Sequence, residues 1–168
     1  MLKNINRDII RFKYFGSLKN TSVNLKTSTR TVPLVLIAIC VSAFGVLIFR
    51  LGFYQDDWHH LYYGFSRGLT SLWELFLYDN RPFASIVYYF GFSILGFKPL
   101  HWHILALLMR TFTVLFVCLT FCDIWSHHKR EATWVSILFA VYPLFKLQPL
   151  AVSYTIHWLG YLLYIISI

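Results

Sequence analysis

The stretch WHILALLMRTFTVLFVCLTFCDIW, residues 102–125, decides the fold. It is apolar throughout except for Arg110 in its middle and Asp123 near its end. An uninterrupted apolar run of about eighteen residues or more reads as a helix able to cross a bilayer. Shorter apolar runs flank it at 32–49, 83–97 and 132–147, and residues 150–168 begin a fifth. Composition agrees, with 58% hydrophobic, 20% aromatic and only 13% charged residues and a mean hydropathy of +0.59. A soluble domain carries roughly a quarter charged residues. The expected fold is all-α, a polytopic transmembrane bundle of four to five helices, with no internal repeat.

The formal charge of +8 does not point to nucleic acid. Seven of the fifteen Lys and Arg precede residue 31 (Lys3, Arg7, Arg11, Lys13, Lys19, Lys26 and Arg30), with Asp8 the lone acid there. A basic tail next to an apolar run follows the positive-inside rule. Residues 1–31 therefore form a cytoplasmic tail, with a short interfacial helix expected over Asp8–Phe15, and residues 32–168 form the membrane domain. Pro33 sits near the start of the first run, where proline is tolerated. The long tail and the lack of a small-residue cleavage site favour a retained anchor over a signal peptide.

The loop at 50–81 then falls on the non-cytoplasmic side, and the topology beyond it stays open. If every run spans, the basic connector His127–Glu131 lands outside. If 83–97 is re-entrant, the connector lands inside and obeys the charge rule. Cys40, Cys118 and Cys122 lie inside apolar runs without ligand spacing and read as small hydrophobes.

That first loop opens with Phe53-Tyr54-Gln55-Asp56-Asp57-Trp58-His59-His60, which holds two of the chain's seven acidic residues. Further on, Ser71 and Glu74 have capping-box spacing. Leu69, Leu72, Trp73, Phe76 and Leu77 recur as one helical face, so a short amphipathic helix is expected to lie at the interface with Trp73 and Phe76 dipping inward. Asp79-Asn80-Arg81-Pro82 ends it.

Asp56 and Asp57 are the candidate catalytic residues. Adjacent carboxylates repel, which raises the pKa of at least one and suits it to accept a proton from a hydroxyl; a solvated helix cap is the plain alternative. Asp56 and His60 stand at i, i+4, a spacing that could hold a divalent cation. Arg110, costly at a helix centre, is expected to face the bundle interior and meet an anion or carbonyls. Arg81 at the water boundary is a second candidate phosphate ligand. Trp58, with Tyr54, Tyr62, Tyr63 and Phe65, forms either an aromatic belt or a stacking surface for a sugar. Lys146 and His157 either join the same vestibule or snorkel.

Taken in order, these features resemble the GT-C glycosyltransferase superfamily, which includes protein O-mannosyltransferases and aminoarabinose transferases of lipid A. The likeness runs over residues 32–168. It comprises the first span, the external Asp56-Asp57 pair, the flat helix and Arg81-Pro82. It continues through Gly96, Pro99 and His103 in a G-x-x-P-x-x-x-H pattern, and Phe139-Ala140-Val141-Tyr142-Pro143. Ala106, and Lys146 to Gln148, depart from the usual pattern. The resemblance implies an inverting enzyme of the bacterial inner membrane that moves a sugar from a polyprenyl-phosphate donor to an acceptor hydroxyl on a glycan, lipid or protein. Asp56 or Asp57 would act as base; Arg81, Arg110, Trp58 and His60 would contact substrate. It also implies that 168 residues are the N-terminal portion of a longer enzyme. The alternatives are a transporter or flippase subunit, with Arg110 and the acidic pair lining a path, and a non-catalytic assembly protein.

Overall fold

The computed structural model describes residues 31–142 and 149–168, and among these all regular structure is helical. The expected tail helix at Asp8–Phe15, and Lys146, lie outside the described residues. The helices are α1 (Thr31–Cys40), continued by a π-helical turn at Val41–Gly45, α2 (Asp56–Ser66), α3 (Leu69–Tyr78), α4 (Pro82–Leu95), α5 (Pro99–Ile124), α6 (Lys129–Ala140) and α7 (Ala151–Ile166). Among the described residues, only α5 is long and apolar enough to cross a membrane; its 26 residues reach about 39 Å at 1.5 Å each, against a hydrocarbon core of about 30 Å.

The other helices take their direction from α5. Along the chain from α1, Leu36 and Cys40 pack with Val114 and Cys118, Phe44 lies under Arg110, Gly45 approaches Leu107, and Gly52 O accepts a hydrogen bond from His103 Nε2 at 3.0 Å. These pairings descend α5, so α1 runs antiparallel to it. α7 runs parallel: Ala151 and Val152 cluster with Trp102, and Thr113 Oγ1 bonds Trp158 O at 3.3 Å. Residue 31 and the 126–128 connector consequently lie at the same end of α5. Phe53, Leu72, Phe76, Ala84, Tyr88 and Phe92 share one core with Trp102 at the other end. α2, α3 and α4 are thus gathered beside the start of α5, and α4 does not carry the chain along its length.

Local chemistry explains the joints. α3 ends in a Schellman turn: Asn80 N donates to Leu77 O and Arg81 N to Phe76 O, with Asn80 left-handed at φ 56°. Asn tolerates that conformation, and Pro82 then starts α4 at a position that needs no N–H. Gly96, at φ 65°, ends α4, and Pro99 opens α5. Trp102 Nε1 donates to Gly96 O at 3.0 Å. The π-helical turn inserts one residue into α1 and re-phases the helix, bringing Phe44 to Arg110.

Several expected boundaries move. The first loop carries two helices rather than one short one. The capping box at Ser71 and Glu74 is not formed, because Gly68 caps α3 and Ser71 Oγ lies 2.8 Å from Tyr63 O and 2.7 Å from Gly68 O. Those neighbouring carbonyls take the hydroxyl that would have met a helix N–H. Of the amphipathic face, Leu72 and Phe76 are buried while Trp73 and Leu77 remain exposed. The fourth run begins at Lys129 and its helix ends at Ala140.

The outer surfaces are apolar. Ile104, Leu108, Phe112, Phe116 and Leu119 form an exposed row on α5, and Phe83, Ile86, Phe90 and Ile94 form another on α4. Rows of this kind are what lipid covers in a membrane protein and what water penalises in a soluble one.

Inside, packing tolerates little. A methyl group on Gly91 would come within 2.5 Å of Trp102, which is fully buried and held by its bond to Gly96. Gly91→Ala is expected to destabilise the protein by about 1–3 kcal/mol, whereas Gly160→Ala, with open space around it, should be neutral or gain up to about 1 kcal/mol. Thermal melts of the two variants in one detergent check the difference.

Candidate functional site

The first turn of α2 separates the two aspartates. Successive residues of a helix are about 100° apart, so when one side chain points into the core its neighbour points away. Asp57 is fully buried and Asp56 is exposed. Asp57 Oδ1 accepts hydrogen bonds from Ser153 N at 2.9 Å and Ser153 Oγ at 3.0 Å. Ser153 lies in the first turn of α7, whose own capping residue, Leu150, offers no side-chain bond. The first N–H groups of a helix have no partner within it. Asp57 supplies that partner from 96 residues earlier in the chain, as an N-cap side chain and as a charge suited to the positive end of the helix dipole. Its second oxygen, Oδ2, is buried with no hydrogen-bond partner among the described residues.

His60, one turn on, completes the inward face. Its ring stacks on Tyr88 at 4.7 Å and on Phe76 at 5.2 Å, and its Nδ1 lies 3.3 Å from Ser153 Oγ. The serine hydroxyl sits between carboxylate and imidazole. A nucleophilic serine needs the imidazole in the middle, so this cluster is built for holding rather than for acyl transfer.

α2 therefore has three faces. Asp57, His60 and Gly64 are buried. Trp58, Tyr62 and Phe65 are exposed and aromatic. The third carries Asp56, His59, Tyr63 and Arg67, with the His59 ring 4.9 Å from Tyr63 and the Arg67 guanidinium 5.2 Å over the same ring. The hydroxyl of Tyr88 lies within electrostatic reach of Asp57, Arg81 and Asp56, and His60 within reach of Asp56 and Asp79. The start of α2, the end of α3 and the starts of α4 and α7 thus meet at one end of the molecule. There Asp56, His59, Asp79 and Arg81 are open to solvent, while Asp57 and His60 are buried on either side of a half-buried Ser153.

The loop leading into this end is strained. Gln55 has φ 42° and ψ −113°, a conformation suited to glycine that costs an L residue about 1–3 kcal/mol. The bonds from His103 to Gly52 and from Ser153 to Asp57 hold it on both sides.

Other candidate residues are placed elsewhere. Arg110 faces the bundle interior, 2% exposed, its guanidinium 3.5 Å from the ring centre of Phe44 and 4.5 Å from that of Trp158. It lines a cavity of about 20 Å³ with His103 and Tyr154, a volume that fits one water, and it is not among the groups around Asp57. Trp58 is exposed, edge-on to Phe53, and His157 is exposed. The i, i+4 pair Asp56 and His60 does not face a common point, since one side chain is in solvent and the other in an aromatic stack. Among the described residues no three His, Cys, Asp or Glu side chains gather to share a metal ion. Ser153, Tyr88 and Phe76 were not legible as site residues. Only His103, inside the G-x-x-P-x-x-x-H pattern, carried a local signal. Compared with protein-family models, curated proteins and solved structures, the chain matches none.

Burial pushes the Asp57 carboxyl above the usual carboxylate range, partly offset by the backbone N–H groups of Ser153, Val152 and Ala151. Burial, with His59 alongside, lowers His60 to about 4. A lowered histidine pKa means that stability is fully present above the unfolded value near 6.5 and is lost as pH falls through 4. The loss amounts to about 3 kcal/mol at 1.36 kcal/mol per pKa unit. Asp57 acts in the opposite sense, favouring the fold most below its unfolded value and less as pH rises through its raised folded value. Melting the purified protein between pH 7 and pH 4 should show the histidine-driven loss. His60→Phe, which keeps the stack, should flatten it.

Proposed function

We propose that this chain is the catalytic corner of a membrane glycosyltransferase of the GT-C type, moving a sugar from a polyprenyl-phosphate donor to an acceptor hydroxyl at the non-cytoplasmic face. The observation that carries the reading is the division of labour within the acidic pair. Asp57 is engaged in capping α7, which leaves Asp56 as the exposed carboxylate at the start of α2, with Arg81 within electrostatic reach of the same Tyr88 hydroxyl.

The reaction then runs as an inverting displacement. The acceptor oxygen attacks the anomeric carbon and forms the new glycosidic bond while the bond from that carbon to the phosphate oxygen breaks. Asp56 takes the acceptor's proton, and the electron pair leaves with polyprenyl phosphate, whose growing negative charge Arg81 stabilises. Asp57 and His60 touch neither partner and act as positioning residues. A crossing of the bilayer by α5, with the shorter α1, α6 and α7 packed along it and α2 to α4 gathered at its outer end, suits the helix directions, the apolar rows on α4 and α5 and the basic connector. The inner membrane of a bacterium is the proposed location.

In membranes containing the protein, supplied with labelled polyprenyl-phosphate sugars, Asp56→Asn should lower transfer by about 10²–10⁴-fold with the melting temperature unchanged. Asp57→Asn should instead destabilise the protein by about 1–3 kcal/mol. Full transfer by Asp56→Asn would sink the assignment. In sealed right-side-out vesicles of a variant lacking native cysteines, Gln55→Cys should react with an impermeant maleimide and His128→Cys should not. The reverse pattern would invert the proposed orientation.

A further inference from the structure

The three cysteines of the chain come from two distant runs of the sequence, and the fold gathers them. Cys40 of α1 and Cys118 of α5 are buried in one core cluster, and Cys122 packs against it, half-buried, one helical turn further along α5. We infer that Cys118 and Cys122 form a two-coordinate site for a soft monovalent cation, Cu(I). The pair lies near the end of α5, whereas Asp56 lies beside its start, so the site stands or falls independently of the proposed transferase.

Helix geometry selects the chemistry. Residues four apart on a helix share a face, with Cβ atoms about 5–6 Å apart. A disulfide needs its Cβ atoms about 3.5–4.5 Å apart, so closing one here would distort a turn of α5. Two sulfurs on either side of a metal fit that spacing better: at about 2.3 Å per metal–sulfur bond they stand about 4.6 Å apart. The two thiols already lie within hydrogen-bonding reach of each other. Cys40 does not supply a third ligand, because its thiol is hydrogen-bonded to the side chain of Thr111. Among the described residues no three metal-binding side chains converge. A zinc ion, which takes four ligands, is therefore poorly served, whereas Cu(I) is soft and is satisfied by a pair of thiolates. Binding sends both thiol protons to water and leaves a singly negative complex. Lys129, at the start of α6, and Asp123 are the charged groups within reach of Cys122. Both are exposed, so the complex forms at a helix end where water reaches its charge, and the half-buried Cys122 gives the cation its way in.

The test is anaerobic titration of the full chain in detergent with Cu(I), using bicinchoninate as the coloured competitor. One Cu(I) per chain is expected, with X-ray absorption showing a pair of sulfur ligands and no others. Cys122→Ser should weaken binding at least about 100-fold, and Cys40→Ser should leave it unchanged. Should Cys122→Ser melt abnormally, the unaltered protein supplies a second readout. Cu(I) should slow the alkylation of Cys122 by a maleimide at least about tenfold, followed by peptide mass spectrometry, and Zn(II) should not. Unchanged affinity in Cys122→Ser, equal protection by Zn(II), or a third sulfur in the absorption spectrum would overturn the inference.

Discussion

The carboxylate of Asp57 on the first turn of α7 is the contact on which the arrangement of this protein depends. It joins the start of α2 to α7, satisfies a backbone donor that Leu150 leaves without a side-chain partner, and is itself fully buried. Removing one partner from such a pair leaves the other exposed to the full cost of desolvation, so α2 and α7 are tied in a way that apolar packing alone does not achieve. With α7 fixed, Trp158 closes over Arg110, and α1 reaches the same guanidinium through Phe44.

The same contact explains why two adjacent aspartates have separate surroundings. On a helix, neighbours diverge by about 100°, and anchoring one inward fixes the other outward. Asp56 therefore stands in solvent on a helix whose opposite face cannot rotate, next to a backbone held in a strained conformation at Gln55. Rigid presentation of one charged group by a buried neighbour is how a positioned base is made. It is also what a purely structural joint looks like from outside, and for that reason the proposed chemistry is tied to Asp56 and not to the pair.

Much of the fold was legible in the sequence because membrane-type helices announce themselves by apolar length. The run at 102–125 became α5 with its start moved to Pro99. Gly96, Pro99 and the Asn80-Arg81-Pro82 joint behaved as local rules require. The capping box at Ser71 failed because Gly68 had already started the helix and nearby carbonyls competed for the hydroxyl. The amphipathic stripe was right for Leu72 and Phe76 and failed for Trp73, which lines an outer groove. A stripe records only which residues are apolar; lipid and core accept them equally.

By itself, the sequence determined the all-helical class, the end of the chain that is basic, the turns, and the segment in which acidic chemistry is concentrated. These are properties of composition and of contacts a few residues apart. The tertiary structure alone decided which aspartate is buried, that Ser153 and Tyr88 belong to the same cluster, and that α2 to α4 gather at one end of α5. Each of those rests on a contact between residues far apart in the chain, made when a helix end without a capping side chain of its own meets a carboxylate from another part of the fold, and nothing local in the sequence records such a meeting.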